Sequence, residues 1–207
     1  MYTLYFAPGT CALASHIALA ESGLPYEVRR VKFAENEQRS EAYLKINPKG
    51  RVPALVMDKG VLTETVAILA FIAQVAREAN LAPLDDPFLF GRMQAFNAYL
   101  ASTVHVAHAH GRRGTRWADE PSSHADMQRK VPQTMGESFR LIEDELLAGP
   151  YVLGDRYSIA DPYLFTIATW LEGDKVDIAR FPRVQAHFEA MKARPAVQKA
   201  FAEEAAA

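Results

Sequence analysis

The chain has a single cysteine in 207 residues, Cys11, so no intrachain disulfide can form. That scarcity points to a reducing compartment and leaves one thiol free for chemistry. No uncharged apolar run approaches the roughly 18 residues a membrane span needs, and the densest stretch, 66–73, is far too short. The first basic residue is Arg29, and Pro8-Gly9 interrupts the early apolar stretch. The positively charged start of a secretory signal is therefore missing, and the expected setting is the cytoplasm, with no membrane partner. A basic excess is missing too. Residues 1–80 hold 9 basic and 8 acidic side chains, leaving 14 of the 23 basic and 17 of the 25 acidic for the remainder. Neither part has the cationic surplus that phosphate binding requires, so no nucleic-acid partner is expected. Glycine (11) and proline (12) stay well below low-complexity levels.

What is present is the ordinary globular mixture, 49% hydrophobic and 23% charged. A chain of this length buries a core without staples. Residues 2–6 read as a strand, rich in aromatic and β-branched side chains. The loop 7–10 leads into a helix over 11–22, with Gly23 just past its end. Residues 26–33 read as a second strand and 40–46 as a short helix. Asn47-Pro48-Lys49-Gly50 is a turn, 54–57 a third strand, and 58–60 a hairpin turn whose return strand begins at Val61-Leu62. A helix follows over 63–76. The order β-α-β-α-β-β-α suggests three strands alternating with helices, then one antiparallel edge added by the hairpin. After a linker, 82–87, every long segment is helical: 88–111, 122–147, 158–171, 182–193 and 196–205. Pro132 is expected to kink or split the second of these. Ser158-Ile-Ala-Asp161 has the pattern of a capping box, with Asp in place of Glu. The expected architecture is a small α/β domain of about 80 residues followed by an all-helical domain of about 120.

Three features in the first domain carry chemistry. Cys11 opens a helix directly after a strand and a Pro-Gly loop, where backbone N–H groups and the helix dipole favour a thiolate or a bound anion. The commoner fate of a free cysteine is that of a small buried hydrophobe. Arg51-Val52-Pro53 places a proline at a strand entry. If the Val52-Pro53 bond is cis, Val52 exposes its backbone groups, and an extended peptide can pair with them as an added strand. An ordinary X-Pro strand entry is the alternative. Thr63-Glu64-Thr65 opens a helix after a strand. The Thr65 hydroxyl and amide suit a carboxylate, and Glu64 suits an ammonium beside it. Plain helix capping also explains the triplet. Taken together the three features suit a small zwitterionic peptide that carries a thiol.

The whole chain, from Met1 to about Phe201, resembles a cytosolic-type glutathione transferase and is most similar to the bacterial beta class. The segment from Tyr5 through Pro8-Gly9-Thr10-Cys11 to Ser15-His16-Ile17 matches the first strand and helix of that class, including its cysteine. Asn47-Pro-Lys-Gly-Arg-Val-Pro53 matches its cis-proline segment. Thr63-Glu64-Thr65-Val-Ala-Ile matches its γ-glutamyl-binding turn, and Ser158-Ile-Ala-Asp161-Pro-Tyr-Leu-Phe its helical-domain capping motif. The resemblance implies a thioredoxin-like domain over 1–78, a linker over 79–87, a helical domain over 88–207 with a hydrophobic co-substrate site, and a homodimer. It implies that Cys11 contacts the glutathione sulfur or forms a mixed disulfide with it. Thr10, Arg51, Val52 and Pro53 would line the binding site, Val52 pairing with the cysteinyl backbone. Glu64 and Thr65 would hold the γ-glutamyl end, and His105 would face the thiol from the helical domain. Several positions depart from the class. Its glutathione-contacting Lys has no counterpart in Ala34-Glu35-Asn36-Glu37, and its boundary Asn aligns with Ala98, one residue from Asn97. A Glu just before its histidine is replaced by Thr103 and Val104, and Thr65 stands where many transferases have Ser.

Other candidates read more plainly. His105 and His108 share a helix face, but His110 does not, and no cysteine remains as a further ligand, so no metal site is expected. His16 reads as a hydrogen-bonded helix residue. Arg112, Arg113 and Arg116 read as a solvated helix end able to attract an anionic co-substrate. Trp117, Trp170 and Phe165 read as packing residues, any of which could line a hydrophobic pocket, and Tyr5 as a second hydroxyl donor near the thiol. The expected function is a transferase of the detoxification type. It takes glutathione as co-substrate, with no tightly bound cofactor, and passes the thiol to a small electrophilic or hydrophobic substrate or exchanges it through Cys11, whose pKa is expected to be lowered. A non-catalytic carrier of glutathione or hydrophobes on the same fold is the alternative.

Overall fold

The computed structural model describes residues 1–207. Its first part is a four-stranded sheet flanked by helices, with strands β1 (Tyr2–Phe6), β2 (Tyr26–Arg30), β3 (Ala54–Met57) and β4 (Gly60–Thr63) in the order β2-β1-β3-β4. β1 pairs in parallel with β2 but antiparallel with β3, and β3 antiparallel with β4. The three strands alternate with helices and the hairpin adds β4 as an antiparallel edge, as expected; the one departure is that β3 itself runs against β1. Alternation of apolar residues reports faces, not direction. β2 stops at Arg30, short of residue 33, because the polar stretch beyond it coils into 3₁₀ turns at Phe33–Glu35 and Glu37–Arg39.

Helices α1 (Ala12–Ser22), α2 (Glu41–Ile46) and α3 (Thr65–Val75) complete this part. α1 ends on Gly23, whose φ of 70° is the left-handed conformation that closes a helix cheaply only in glycine. Ser40 caps α2 by accepting from the Tyr43 N–H at 3.1 Å.

The second part is helical: α4 (Pro87–Tyr99), α5 (His105–Arg112), α6 (Pro121–Leu141), α7 (Ala160–Ala168), α8 (Pro182–Lys192) and α9 (Pro195–Ala206). A π-helical turn, Leu100–Val104, joins α4 to α5. α6 runs unbroken through Pro132, so the expected split does not occur. Its apolar face, with Val131, Met135 and Phe139 buried, supplies packing that outweighs one missing backbone bond. The Ser158 capping box forms. The buried Asp161 carboxylate accepts from Ser158 N–H (2.7 Å), Ser158 Oγ (3.2 Å) and Val152 N–H (2.8 Å), with His187 Nε2 at 3.1 Å.

One apolar core crosses both parts. Leu4, Ala14, Ile68 and Leu69 of the sheet domain share a cluster with Phe139, Tyr163 and Leu164 of the helical part. A second cluster joins Leu13 and Ile17 of α1 to Phe165, Met191, Val197 and Ala200. Polar contacts reinforce that seam. Fully buried His16 lies 2.7 Å from Glu203 Oε2 and 3.4 Å from Glu204 Oε1, and Tyr26 donates to Glu203 at 2.7 Å.

Partial burial disfavours the Glu203 charge, but hydrogen bonds from Lys199, His16 and Tyr26 outweigh it and hold the carboxyl down at about 2. A carboxyl depressed on folding stabilises the fold above its ordinary value of 4.5, and that contribution is lost as pH falls toward 2. In urea titrations, Glu203→Gln is expected to be less stable than wild type at about pH 6, and the gap should close as pH falls through this window. A gap independent of pH would contradict the assignment.

Candidate functional site

A cavity of about 400 Å³ opens between the sheet domain and the helical part. Thr10, Cys11, Arg51, Val52, Pro53, Glu64, Thr65 and His105 all line it. Four different segments of sequence therefore converge on one space.

Cys11 sits at the start of α1, and its Sγ lies 3.8 Å from the Val52 carbonyl oxygen, which accepts from the thiol. The Thr10 hydroxyl donates to Ala7 O at 2.7 Å and accepts from Ala12 N–H at 3.4 Å, which locks the loop. The same loop is gripped from the helical part, where Trp170 Nε1 donates to Gly9 O at 3.1 Å. Burial pushes the Cys11 thiol up; the Thr65 hydroxyl and then the Arg113 charge pull it down without overcoming the loss of water. The expected lowering is corrected. The helix start is a local influence, whereas desolvation comes from the tertiary environment and is larger here. Without a ligand, Cys11 is a thiol at neutral pH.

Val52 follows a tightly built turn. Asn47 Nδ2 and Tyr43 Oη both donate to Arg51 O, at 2.6 and 2.7 Å. Gly50 has φ +59°, and a Cβ there would meet Gln38 O at 2.8 Å, so only glycine brings this turn against the 38–39 segment. The Val52-Pro53 bond is cis. The Val52 N–H donates to no group of the chain and so is free to pair with an extended ligand.

Glu64 precedes α3 with φ 73° and ψ 121°, an uncommon conformation for a residue other than glycine. No side chain caps α3, so the N–H groups that open the helix at Thr65 have no intrahelical partner and favour an anion. The capping alternative for this triplet is thereby excluded. The Glu64 carboxylate is held by Lys49, which also donates to Thr63 Oγ1 at 2.7 Å.

His105 faces the cavity from α5, its ring 4.9 Å from that of Trp170. Burial, then the Arg113 charge, lowers its pKa to about 3, so the imidazole is neutral at physiological pH. His108 bonds to Asp174 at 2.8 Å and stacks on Trp170 with ring centroids 4.3 Å apart. His110 packs on Trp117 at 4.3 Å. No cluster of three or more His, Cys, Asp or Glu side chains suits a metal ion.

Several walls of the cavity escape the sequence reading. Gln38 and Arg39 enter from the irregular stretch after β2, and Tyr163 from α7. Arg113 and Arg116, read as a solvated helix end able to attract an anion, line the cavity together with Trp117, which the sequence offered as a pocket residue. Tyr5 is not among its walls; its ring packs against Tyr43 at 5.8 Å. Buried Tyr163 stands in its place as the phenol near the thiol.

With its thiol pKa raised by burial, Cys11 is expected to react with iodoacetamide more slowly than the same residue in urea-unfolded protein at about pH 8. Its alkylation profile should also be displaced to higher pH. A profile displaced to lower pH would contradict the desolvated environment.

The comparisons with known proteins agree with this geometry. The family model "Glutathione S-transferase, N-terminal domain" matches residues 1–74, and "Glutathione S-transferase, C-terminal domain" matches residues 125–190. The glutathione S-transferase GstA of Escherichia coli O157:H7 is 30% identical over 204 residues, covering 97% of this chain and 98% of that one. A glutathione transferase homologue from Sulfitobacter, crystallised with bound glutathione, superposes with a TM-score of 0.96 at 48% identity, covering 98% of each chain. A bacterial beta class glutathione S-transferase from Sphingomonas chungbukensis does so with a TM-score of 0.84 at 30% identity, again covering 98% of each. With family matches across more than half its length and relatives aligned nearly end to end, this chain belongs to the glutathione S-transferase family.

Proposed function

We propose that the chain is a glutathione transferase of the bacterial beta kind, working as a homodimer in the cytoplasm. Glutathione lies extended along the cavity, and one observation carries this reading. The free Val52 N–H, the Cys11 thiol and the uncapped start of α3 line a single space, which supplies one partner for each part of a γ-Glu-Cys-Gly peptide. The cysteinyl backbone pairs with Val52. The γ-glutamyl carboxylate meets the α3 amides and the Thr65 hydroxyl, and its ammonium meets Glu64. The glycine carboxylate lies toward Arg39 and Arg51, and the sulfur is set between Cys11 and His105.

Two reactions follow from this placement. In transfer, the glutathione sulfur attacks an electrophilic carbon, the leaving group departs with the bonding electrons, and the thiol proton passes to water. Neutral His105 accepts a hydrogen bond from the thiol, and the guanidinium groups favour the thiolate. In exchange, the Cys11 thiolate attacks one sulfur of glutathione disulfide. A mixed disulfide forms, and the second glutathione leaves as its thiolate. The raised Cys11 pKa makes exchange the slower route below the alkaline range.

The protein is expected to be retained on immobilised glutathione and to conjugate glutathione to an activated aryl halide. Retention without turnover would favour the carrier alternative, and no retention would overturn both. Incubation with glutathione disulfide should place one glutathione adduct on Cys11 by mass spectrometry; absence of the adduct removes the exchange route. Thr65→Ala is expected to weaken glutathione binding by about 1–3 kcal/mol in calorimetry, since it deletes a hydroxyl partner of a charged carboxylate. An unchanged dissociation constant would place the γ-glutamyl end elsewhere.

A further inference from the structure

We propose that the electrophile accepted by this site is itself an anion, an aryl or alkenyl carboxylate held by Arg113 and Arg116. The proposal rests on the glutathione reading above and names the class of the second substrate.

Four guanidinium groups line the cavity: Arg39 and Arg51 from the sheet domain, Arg113 and Arg116 from the segment after α5. The only carboxylate among the lining residues, Glu64, is already paired with Lys49. Half-buried Arg194 and exposed Arg183 both have partners, whereas of the cavity arginines Arg113 is half-buried and Arg39, Arg51 and Arg116 reach solvent. Arg194 bonds to Glu21 at 2.7 Å, and the Arg183 guanidinium donates to the carbonyls of Glu143 and Leu147. The four cavity arginines form no ion pair within the chain. Cations gathered in one cleft repel one another, and an arrangement of this kind is stabilised by an incoming anion. The electrostatics register that crowding. Burial lowers the pKa of both Arg113 and Arg116; the charge of Arg51 adds to this for both, and Arg113 and Arg39 add to it for Arg116.

Glutathione does not use all four. It has two carboxylates and one ammonium. The start of α3 serves one carboxylate and Glu64 serves the ammonium, which leaves the glycine carboxylate for Arg39 and Arg51. Arg113 and Arg116 stand on the opposite, helical wall, beside His105. Their backbone is braced. Gly114 lies against His124, where an added Cβ would come within 3.0 Å of the ring, and His124 Nε2 is 2.7 Å from Ala118 O. The N–H groups of Trp117 and Ala118 both donate to Gly114 O, at 2.9 and 3.1 Å. This turn also sets the Trp117 ring in the cavity wall, so a flat apolar face adjoins two unpaired cations. An aromatic or unsaturated acid matches both.

The test compares 4-chloro-3,5-dinitrobenzoate with its uncharged amide. In each, the glutathione sulfur forms a bond to the chlorine-bearing carbon, chloride departs with the bonding pair, and the thiol proton goes to water. The readout is the ratio of kcat/KM for the acid over the amide, each divided by its uncatalysed rate. The expected ratio is at least about tenfold, the size of one charge-assisted pair, and it should shrink with added salt. Arg113→Gln and Arg116→Gln should each move the ratio toward one, and the double substitution furthest. A wild-type ratio near or below one overturns the proposal while leaving the glutathione reading intact. So does a ratio the substitutions do not move, or a loss of glutathione affinity in calorimetry that accounts for the whole effect. Failure to bind glutathione at all overturns the underlying reading, and the proposal with it.

Discussion

Helix α1 is enclosed on every side, and the site depends on that enclosure. Residues Ala12 through Leu19 are buried without exception, including the polar Ser15 and His16. The sheet and α3 cover one flank; α7 and α9 cover the other through Leu13, Ile17, Phe165, Val197 and Ala200. A helix buried all round has no solvent face and therefore no freedom to roll. Cys11, at its first turn, is consequently fixed relative to Val52 on one domain and to Tyr163 and His105 on the other. The Trp170 bond to Gly9 O and the His16–Glu203 contact pin the loop before this helix and the helix's middle.

That enclosure also sets the electrostatics. Removing water from the helix start penalises the Cys11 thiolate and the protonated His105 alike, so both groups rest in neutral forms. Around them stand four arginines whose charges are fixed. A pocket of neutral reactive groups inside a cationic rim is suited to stabilising negative charge as it arrives or develops, whether a carboxylate or a thiolate. The same field explains why burial alone does not decide the chemistry. It disfavours ionisation in the ligand-free protein, and the arginines offset part of that cost as an anion forms.

Local signals made much of this legible in the sequence. Cys11, Val52 and Thr65 each sit at an element boundary marked by Pro, Gly or a Thr-Glu-Thr triplet, and such boundaries are written in short stretches of chain. The helical extents and the Ser158 capping box were readable for the same reason. Arg39 was not, because its 3₁₀ turn has no periodicity. Tyr163 was hidden because every residue of α7 is buried, and nothing in sequence separates the one that faces a cavity from the eight that face the core. The direction of the Cys11 shift was misread for a related reason: a helix start is visible locally, whereas the burial that outweighs it is assembled from distant segments. Strand direction in β3 was likewise a tertiary matter.

The central claim is that one cavity grips a thiol tripeptide along its length and delivers its sulfur to Cys11 and His105. A crystal structure of the glutathione complex tests it most directly. The account requires the cysteinyl backbone to pair with Val52, the γ-glutamyl carboxylate to sit at the start of α3, and the sulfur to lie between Cys11 and His105. A tripeptide bound outside this cavity, or inside it with the sulfur turned away from both residues, would contradict the account.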